Sequence, residues 1–412
     1  MRSRSCLYPL AFCCAIGLSH ANDGSLSDSQ LSSVQNRLED AAHQSWEFGT
    51  RAQALLELDA SPFSVFSDTS LPPPHDIADM TENLQAVLDI AESVVSNQSS
   101  RTAGQARPLL PDGSSGDPAS IGVAVLLANW TGQDRLNYSD AATGQLNYLL
   151  NVAPRYENGA ISHRTASAQL WSDSVFMVPP FLAYYGVLNS NQSLVEEAYN
   201  QCKLYRDILR DSDNGNLWKH IVGKSDSPAD AGYWSTGNGW AAAGMLRVLA
   251  TIQHSPYSDA LSNEMEDLVA WIKEIQGAMY DKLDDSYVFR NYVDKDDAFY
   301  DASSTALMAA TVYRLSDVWD DHTHIPLAQR SRNVLLNGKH IDDDGWLTPV
   351  VNPHSYGVEG SKSAEGQAFV LMMESAHAVW HSAGEPGNGA AFVEASKLLT
   401  ISTVLIVYIA LL

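Results

Sequence analysis

A carboxylate beside aromatic residues is the first candidate for chemistry in this sequence. Asp173 follows Trp171 and directly precedes a strongly apolar stretch. Partial desolvation at such a place would raise the pKa of the carboxyl from about 4 toward the range of a general acid. Aspartate also caps helix N-termini well, so the same position fits a purely structural role. Local sequence leaves both interpretations open, and Asp173 is carried forward as a predicted catalytic residue.

A second carboxylate, Asp117, is followed directly by Pro118. Aspartate at the N-cap with proline at the first helical position is a common way to start a helix. This pattern favours a structural cap, although a cap at the rim of a binding site can also face a ligand. Asp117 is predicted as the second catalytic residue, mainly on the resemblance described below.

The run of residues 233–240 is the most informative segment. Two tryptophans flank what looks like a flexible polar turn containing Gly237 and Gly239. The glycines would let backbone N–H groups approach a ligand, and indole rings offer flat faces on which sugars stack. A histidine precedes this run by one short segment. The predicted substrate-binding residues are Trp171, His220, Trp234, Thr236, Asn238 and Trp240.

Several other chemistries find no support in the sequence. It contains no His-Glu-x-x-His, no paired-cysteine spacing and no Gly-x-Ser-x-Gly elbow, so neither a metal nor a cofactor is predicted. The 412 residues carry a formal net charge of −24, which argues against binding nucleic acid or anionic lipid. A polyanionic substrate would need local cationic or hydrogen-bonding groups that work against this field.

These residues need a scaffold, and the sequence predicts one made of helices. Units of roughly 60 residues recur, each with a polar loop, an apolar Ala/Gly-rich helix and a more amphipathic helix. Helices that are apolar on all sides are buried, and amphipathic helices cover them. Six of each describe an all-α (α/α)6 six-hairpin barrel. The apolar helices are expected to begin near Trp46, Gly122, Phe176, Gly239, Ser303 and Gly366.

Amphipathic helices are predicted over residues 77–95, 138–152, 194–209, 258–275 and 326–336. An open solenoid is the alternative, but a closed ring protects both ends. In the barrel, the loops before the apolar helices open on one face, where converging helix N-termini suit an anionic ligand. No linker divides the chain, so a single domain over residues 22–381 and a monomer are predicted. The loops would gather Asp117, Trp171, Asp173, His220, the 234–240 run and Asp301.

Both ends of the sequence carry processing signals. A basic start, an apolar run and a small-x-small pattern predict a signal peptide over residues 1–21. Residues 382–412 contain small residues, a polar spacer and an uncharged tail, as a glycosylphosphatidylinositol (GPI) attachment signal does. A plain hydrophobic tail is the alternative. Together with sequons at Asn97, Asn129, Asn137 and Asn191, these features predict a secreted or cell-surface protein. Cys202, alone in the mature chain, is expected to be a buried apolar residue.

These segments resemble glycoside hydrolase family 105, the unsaturated rhamnogalacturonyl hydrolases, and more distantly family 88, the unsaturated glucuronyl hydrolases. The likeness covers nearly the whole mature chain. Gln-Leu-Trp-Ser-Asp-Ser-Val-Phe-Met around Asp173 is similar to the family's segment around its catalytic Asp. Trp-Ser-Thr-Gly-Asn-Gly-Trp, ending at Trp240, is similar to the family's Trp-Ser-Arg-Gly-Asn-Gly-Trp. Asp117 lies at a suitable distance for the family's second Asp, and His220 matches the His before the double-tryptophan loop.

The resemblance implies an oligosaccharide substrate from pectin and a hydration reaction. Polysaccharide lyases leave a C4=C5 double bond on the terminal uronic acid. A hydrolase of this kind protonates that vinyl ether and adds water, and the hemiketal collapses to release the neighbouring sugar. One carboxyl group can serve both proton transfers, so the separation rule for retaining and inverting enzymes does not apply directly. Asp173 would be the acid/base, assisted by Asp117.

One departure from the family pattern bears on the substrate. The family's Arg in the double-tryptophan loop, which the resemblance implies binds the uronate carboxylate, is Thr236 here. Threonine cannot replace a bidentate, charge-assisted pair. Arg164 and Lys219 are candidates to stand in for it. Two alternatives therefore stay open: a barrel glycosidase that acts on a saturated sugar, and a cell-wall protein that binds glycan without catalysis.

Overall fold

A computed structural model describes residues 25–75, 81–98, 102, 104–133, 136–224, 229–337 and 340–388. The predicted signal peptide and the uncharged tail lie outside these residues. In the part described, no helix is both long enough and apolar enough to cross a membrane. The helices are α1 (Asp28–Ala41), α2 (Ser45–Leu58), α3 (Thr81–Ser96), α4 (Gly122–Trp130), α5 (Tyr138–Asn151), α6 (Ser174–Leu188), α7 (Gln192–Leu209), α8 (Ser235–Gln253), α9 (Ser262–Tyr280), α10 (Ala302–Trp319), α11 (Ile325–Asn337) and α12 (Ala364–Ser382).

The even-numbered helices form an inner ring. Their side chains are buried on almost every side, as the apolar segments of the sequence predict. Each inner helix packs against the next one along the chain, and α12 packs against α2, so the ring is closed. The predicted (α/α)6 barrel is thereby confirmed, and the open solenoid is excluded.

The odd-numbered helices form the outer layer, and each carries one buried face. Five of them match the predicted amphipathic helices, with ends that differ by a few residues. The sixth, α1, was not predicted, because its short polar segment buries only Val34 and Leu38. It packs on α12 and completes the sixth hairpin.

Short antiparallel strands occur in the loops that precede inner helices. They are β1 (Gln169–Trp171), β2 (Arg210–Asp211), β3 (Leu217–Trp218), β4 (Ile221–Gly223), β5 (Val350–Asn352) and β6 (Ser355–Gly360). β1 pairs with β4, β2 with β3, and β5 with β6. The β1–β4 register places Trp171 opposite Ile221, and the Ser172 N–H donates to the His220 carbonyl at 2.9 Å. Two segments far apart in sequence are therefore held side by side at the mouth of the barrel.

A buried ion pair connects α10 with α2, next to the place where α12 packs on α2 and closes the ring. Arg314 of α10 lies 3.0 Å from Glu57 of α2, and it also donates to the Ser375 hydroxyl of α12 at 3.0 Å. The Ser375 hydroxyl in turn donates to the Glu57 carbonyl at 2.6 Å. Removing one partner of such a pair leaves a buried charge without compensation and typically costs about 3–5 kcal/mol.

The inner helices approach one another closely where glycine faces a neighbouring backbone. A Cβ atom on Gly244 of α8 would lie only 2.1 Å from the Val175 carbonyl oxygen of α6. No side chain can move aside to relieve this overlap, since the obstructing atom belongs to the main chain. Gly277 of α9, by contrast, has open space around the same position.

These two glycines give a matched test of the ring. Gly244→Ala should lower the free energy of unfolding by roughly 1–3 kcal/mol or more, because α6 and α8 must separate. Gly277→Ala should raise it by about 0.5–1 kcal/mol, since alanine is the better helix former and meets nothing. Urea unfolding followed by circular dichroism measures both. Equal stability of the two variants would contradict the packing described.

Candidate active site

A cavity of about 300 Å³ opens at the end of the barrel where the inner helices begin. The prediction that the unusual loop residues gather on one face is confirmed for most of them. The hairpin formed by β5 and β6 supplies much of the remaining wall. Of the predicted site residues, the cavity wall contains Asp117, Trp171, Asp173, His220, Trp234, Thr236 and Trp240.

Asp173 occupies the N-cap position of α6 but does not cap the helix. Its side chain makes no capping hydrogen bond and faces the cavity, with about 15% of its surface exposed. The Asp173 carboxylate lies 3.6 Å from Nε2 of His220, an ion-pair distance that is longer than a hydrogen bond. The Ser172 hydroxyl donates to the same carboxylate at 3.3 Å. Of the two roles left open for Asp173, the structure excludes the capping one.

His220 lies between two carboxylates. Its Nδ1 is 3.0 Å from Asp230, which also accepts hydrogen bonds from the Tyr292 hydroxyl at 2.5 Å and the Gly232 N–H at 3.0 Å. Burial opposes protonation of His220, but Asp173 and Asp230 together outweigh it and raise the pKa of the imidazole. Asp173, His220, Asp230 and Tyr292 therefore form a continuous polar chain leading away from the cavity.

Asp117 is the first residue of a 3₁₀ turn over Asp117–Ile121, whose N-cap position is taken by Gly116. The Asp-Pro pattern therefore marks a helix start as expected, but Asp117 is not the cap, and its side chain lines the cavity. Its carboxyl lies 3.6 Å from Nε2 of His163 and is about 7% exposed. His163 stacks on Trp171, with ring centres 4.8 Å apart.

The pKa values of the two carboxyl groups are shifted in opposite directions. Burial, together with the negative charges of Asp112 and Asp173, raises the pKa of Asp117 well above its usual value. Burial also acts to raise the pKa of Asp173, but contact with His220 overcomes this and holds the pKa below its ordinary range. The expectation that desolvation would raise the pKa of Asp173 is therefore wrong. Asp117 is therefore the carboxyl group that more readily holds a proton, and Asp173 the one that more readily stays ionised.

The double-tryptophan run is a helix start, not the flexible turn that was predicted. Its residues form the first turns of α8. Gly237 and Gly239 allow this helix to approach its neighbours, since a Cβ would meet the Ser172 hydroxyl at 2.3 Å or the Leu307 side chain at 2.9 Å. The glycines therefore serve packing, and the tryptophans that flank them contribute to the cavity wall.

Asn238 does not line the cavity, so its predicted role in substrate binding is not supported by its position. Its amide accepts from the Trp218 N–H at 2.9 Å and donates to the carbonyls of Trp218 and Trp234 at 3.0 Å. These bonds fix β3 against the start of α8. Asn238 thus positions the backbone that carries Trp234.

Thr236 lines the cavity but offers it no charge. Its hydroxyl donates to Asp301 at 3.0 Å, and only 2% of the residue is exposed. Asp301 is fully buried and caps α10 by accepting from the N–H groups of Ser303 and Ser304. The carboxylate at this wall is therefore that of Asp301, and its hydrogen bonds are supplied by Thr236, Ser303 and Ser304.

The sequence interpretation overlooked several residues that line the cavity. Trp46 donates from its indole N–H to Glu365, whose pKa burial and the nearby Glu47 raise to about 7. Tyr356, on β6, meets the His220 ring at 4.5 Å between ring centres. These residues lie in segments without a recognisable motif, and only the closed ring brings them to the cavity. Among the residues described, no group of three potential ligands is arranged for a metal ion.

Paired carboxyl groups in an aromatic cavity, at the open end of a six-hairpin barrel, define the class of this protein as a glycoside hydrolase. A family 105 hydrolase from C. acetobutylicum matches with a TM-score of 0.64 and 14% identity, covering 84% of this chain and 99% of that one. A family 88 hydrolase from Bacteroides vulgatus matches with a TM-score of 0.62 and 14% identity, covering 85% and 99%. At these identities the likeness establishes the fold.

Comparison of the amino-acid sequence with known families identifies the family of this chain. This chain belongs to Glycosyl Hydrolase Family 88, whose model matches residues 77–365. It is also 25% identical over 256 residues to the "Unsaturated rhamnogalacturonyl hydrolase YesR" of Bacillus subtilis strain 168, covering 60% of this chain and 68% of that protein. The resemblance to families 105 and 88 is thus confirmed, and with it membership of the unsaturated uronyl hydrolases.

The role of Asp230 can be tested without any substrate. Asp230→Asn removes one of two carboxylates that hold the proton on His220, so the pKa of His220 should fall. A raised histidine pKa stabilises the fold below its unfolded value near 6.5, and the depressed pKa of Asp230 does so above about 4. The stability lost in Asp230→Asn should therefore be largest between about pH 4 and 6.5.

An NMR titration of the His220 ring measures the first effect, and denaturant unfolding at several pH values measures the second. Asp343→Asn, at an exposed carboxylate, is the control. An unchanged His220 pKa in Asp230→Asn would show that this ion pair does not hold the proton.

Proposed function

We propose that this protein hydrates the C4=C5 double bond of unsaturated uronyl residues on oligosaccharides released from pectin by lyases. The observation that carries the proposal is a pair of carboxyl groups, Asp117 and Asp173, in the same aromatic cavity, with pKa values shifted in opposite directions. The name of the Bacillus relative supports a rhamnogalacturonyl substrate. Trp171 and Trp234 line the cavity, where indole rings can pack against a sugar.

The two carboxyl groups supply what the reaction needs. Hydration requires a proton on C4 and removal of a proton from the water that attacks C5. A bound uronate adds negative charge and excludes water, and both effects raise the pKa of Asp173. In the complex Asp173 takes up a proton from Asp117, gives it to C4, recovers one from the water that attacks C5, and returns it to Asp117 once the products have left. Asp173 is therefore the proposed acid/base, and Asp117 assists by holding the proton beforehand.

The polar chain behind Asp173, formed by His220, Asp230 and Tyr292, controls the pKa of Asp173. While His220 is protonated, Asp173 remains ionised until a substrate excludes water from the cavity and allows Asp173 to receive a proton. Asp230 and Tyr292 hold the imidazole in place. Activity should accordingly decline as the pH rises through the raised pKa of His220.

A substitution at Asp173 tests the proposal directly. Asp173→Asn should reduce turnover by roughly 10²–10⁴-fold, which is the usual contribution of a general acid or base. The variant should remain folded because asparagine has nearly the same shape, with a modest fall in melting temperature since the ion pair with His220 is lost. The assay follows the ultraviolet absorbance of the unsaturated uronate as lyase-treated pectin is consumed, with Asp343→Asn as the control. A variant that keeps more than about a tenth of the activity would rule Asp173 out as the acid/base.

Thr236 is the observation that favours a second candidate function. Because this position lacks the family's cation, the cavity could serve a barrel glycosidase that acts on a saturated sugar. Such an enzyme would release sugar from untreated oligosaccharides and leave the ultraviolet signal of lyase products unchanged. A protein that only binds glycan would do neither, so the same assay separates all three.

We propose further that the protein is secreted or displayed at the cell surface. The four asparagines of the sequons, Asn97, Asn129, Asn137 and Asn191, are all exposed, which supports glycosylation in a secretory compartment. If the 382–412 segment is exchanged for a GPI anchor, phosphatidylinositol-specific phospholipase C should release the protein from cells. Mass spectrometry of the intact protein that finds residues 398–412 still attached would end the anchor hypothesis.

A further inference from the structure

A uronate substrate needs a cation that this cavity does not hold at the family's position. The chain carries a net charge of −24, and the cavity already contains the ionised Asp173. Thr236, where the family has Arg, donates its hydroxyl to the buried Asp301. A carboxylate placed against that wall would meet negative charge and no free donor. The compensating cation must therefore lie elsewhere in the cavity.

The described residues offer few candidates. Burial lowers the pKa of His163 to about 3, so that imidazole is neutral. His220, whose pKa is raised, already lies between Asp173 and Asp230. Lys219 does not line the cavity, and its Nζ lies 3.5 Å from Asp211. Arg164 remains as the guanidinium in the cavity wall.

The geometry of Arg164 suits an incoming carboxylate. Its guanidinium carbon lies 5.6 Å from the ring centre of Trp171, a cation–π arrangement that restrains the side chain. Its main chain is held by Ser162, whose hydroxyl accepts from the Arg164 N–H at 3.2 Å and donates to the Arg164 carbonyl at 2.7 Å. Within the described chain, the guanidinium has no carboxylate at ion-pair distance and donates no hydrogen bond. Its five donors are therefore free for a ligand.

The electrostatics agree with this placement. Arg164 is close enough to Asp117 to lower the pKa of that carboxyl, against the larger effects of burial and neighbouring charges. A carboxylate bound to Arg164 would thus lie near Asp117, in the cavity that also contains Asp173. The isolated bridge between Ser114 and Arg164 joins this segment to the loop that carries Asp117. The cation and the assisting carboxyl group of Asp117 are consequently positioned together.

We propose that Arg164 binds the carboxylate of the substrate and takes the place of the family's Arg at position 236. This inference rests on the proposed function, because it assumes a uronate at the end of the substrate. A guanidinium pairs with a carboxylate through two parallel hydrogen bonds, which gives orientation as well as affinity. The uronate carboxylate therefore points toward Trp171 and the His163 segment, away from the start of α8.

The experiment compares an unsaturated galacturonyl-rhamnose with its methyl ester, which is neutral at the same position. For Arg164→Gln, the ratio of the KM for the acid to the KM for the ester should rise tenfold or more, as expected for losing a hydrogen-bonded charge pair. For Arg164→Lys this KM ratio should lie between those of the wild type and Arg164→Gln, since an ammonium keeps the charge but not the bidentate geometry. Arg330→Gln, at an exposed position on α11, is the matched control.

Position 236 supplies a rescue test. In the Arg164→Gln background, Thr236→Arg should restore selectivity for the acid over the ester by about tenfold, because it returns a cation to the family's position. In the wild type, Thr236→Arg should increase the selectivity for the acid by less than tenfold, since one carboxylate cannot pair fully with both cations.

The possible failures are distinguishable. If the wild type consumes the acid and Arg164→Gln leaves the acid-to-ester ratio unchanged, Arg164 is not the carboxylate partner. A KM that rises equally for both substrates would show that Arg164 only shapes the cavity, and would also overturn the inference. If the wild type consumes neither compound, the proposed function fails. Calorimetric titration of the unsaturated disaccharide then still shows whether Arg164→Gln weakens its binding.

Discussion

The walls of the cavity depend on one buried carboxylate, that of Asp301. It accepts from the N–H groups of Ser303 and Ser304 at the start of α10, from the Val351 N–H of β5 and from the Thr236 hydroxyl of α8, each at 3.0–3.1 Å. A fully buried charge is tolerated only when donors surround it in this way. Two inner helices and the hairpin are thereby held to one point. The same arrangement occupies the hydroxyl of Thr236, which links the architecture of the wall to the choice of substrate.

The fold could largely be predicted from the sequence, because the pattern of apolar residues reports burial directly. Inner helices such as α6 are apolar on all sides, and a ring is the arrangement that buries six of them at once. Where the pattern was weak the prediction was wrong: α1 has few apolar residues, and the start of α8 reads as a loop because of Gly237 and Gly239. In both places tertiary contacts decide the structure, through packing on α12 and close approach to Ser172.

The candidate site was predictable in its residue types but not in its charges. Asp117 and Asp173 both precede apolar segments, and local sequence does not show that their pKa values are shifted in opposite directions. They differ because His220, brought beside Asp173 by the pairing of β1 with β4, lowers the pKa of that carboxyl alone. Glu365 and Tyr356 could not be found at all, since nothing in their neighbourhoods indicates a site. Proton positions depend on distances across the barrel, and these appear only once the ring is closed.

The packing of α1 against α12 has a consequence for the topology of the chain. In a ring whose first and last helices are neighbours, no hairpin is intrinsically the beginning. Joining these ends and opening the chain at an outer loop, for example near Ser190 between α6 and α7, would give a circular permutant with the same set of helix contacts. The barrel therefore does not require its hairpins to follow one another in this particular order along the sequence.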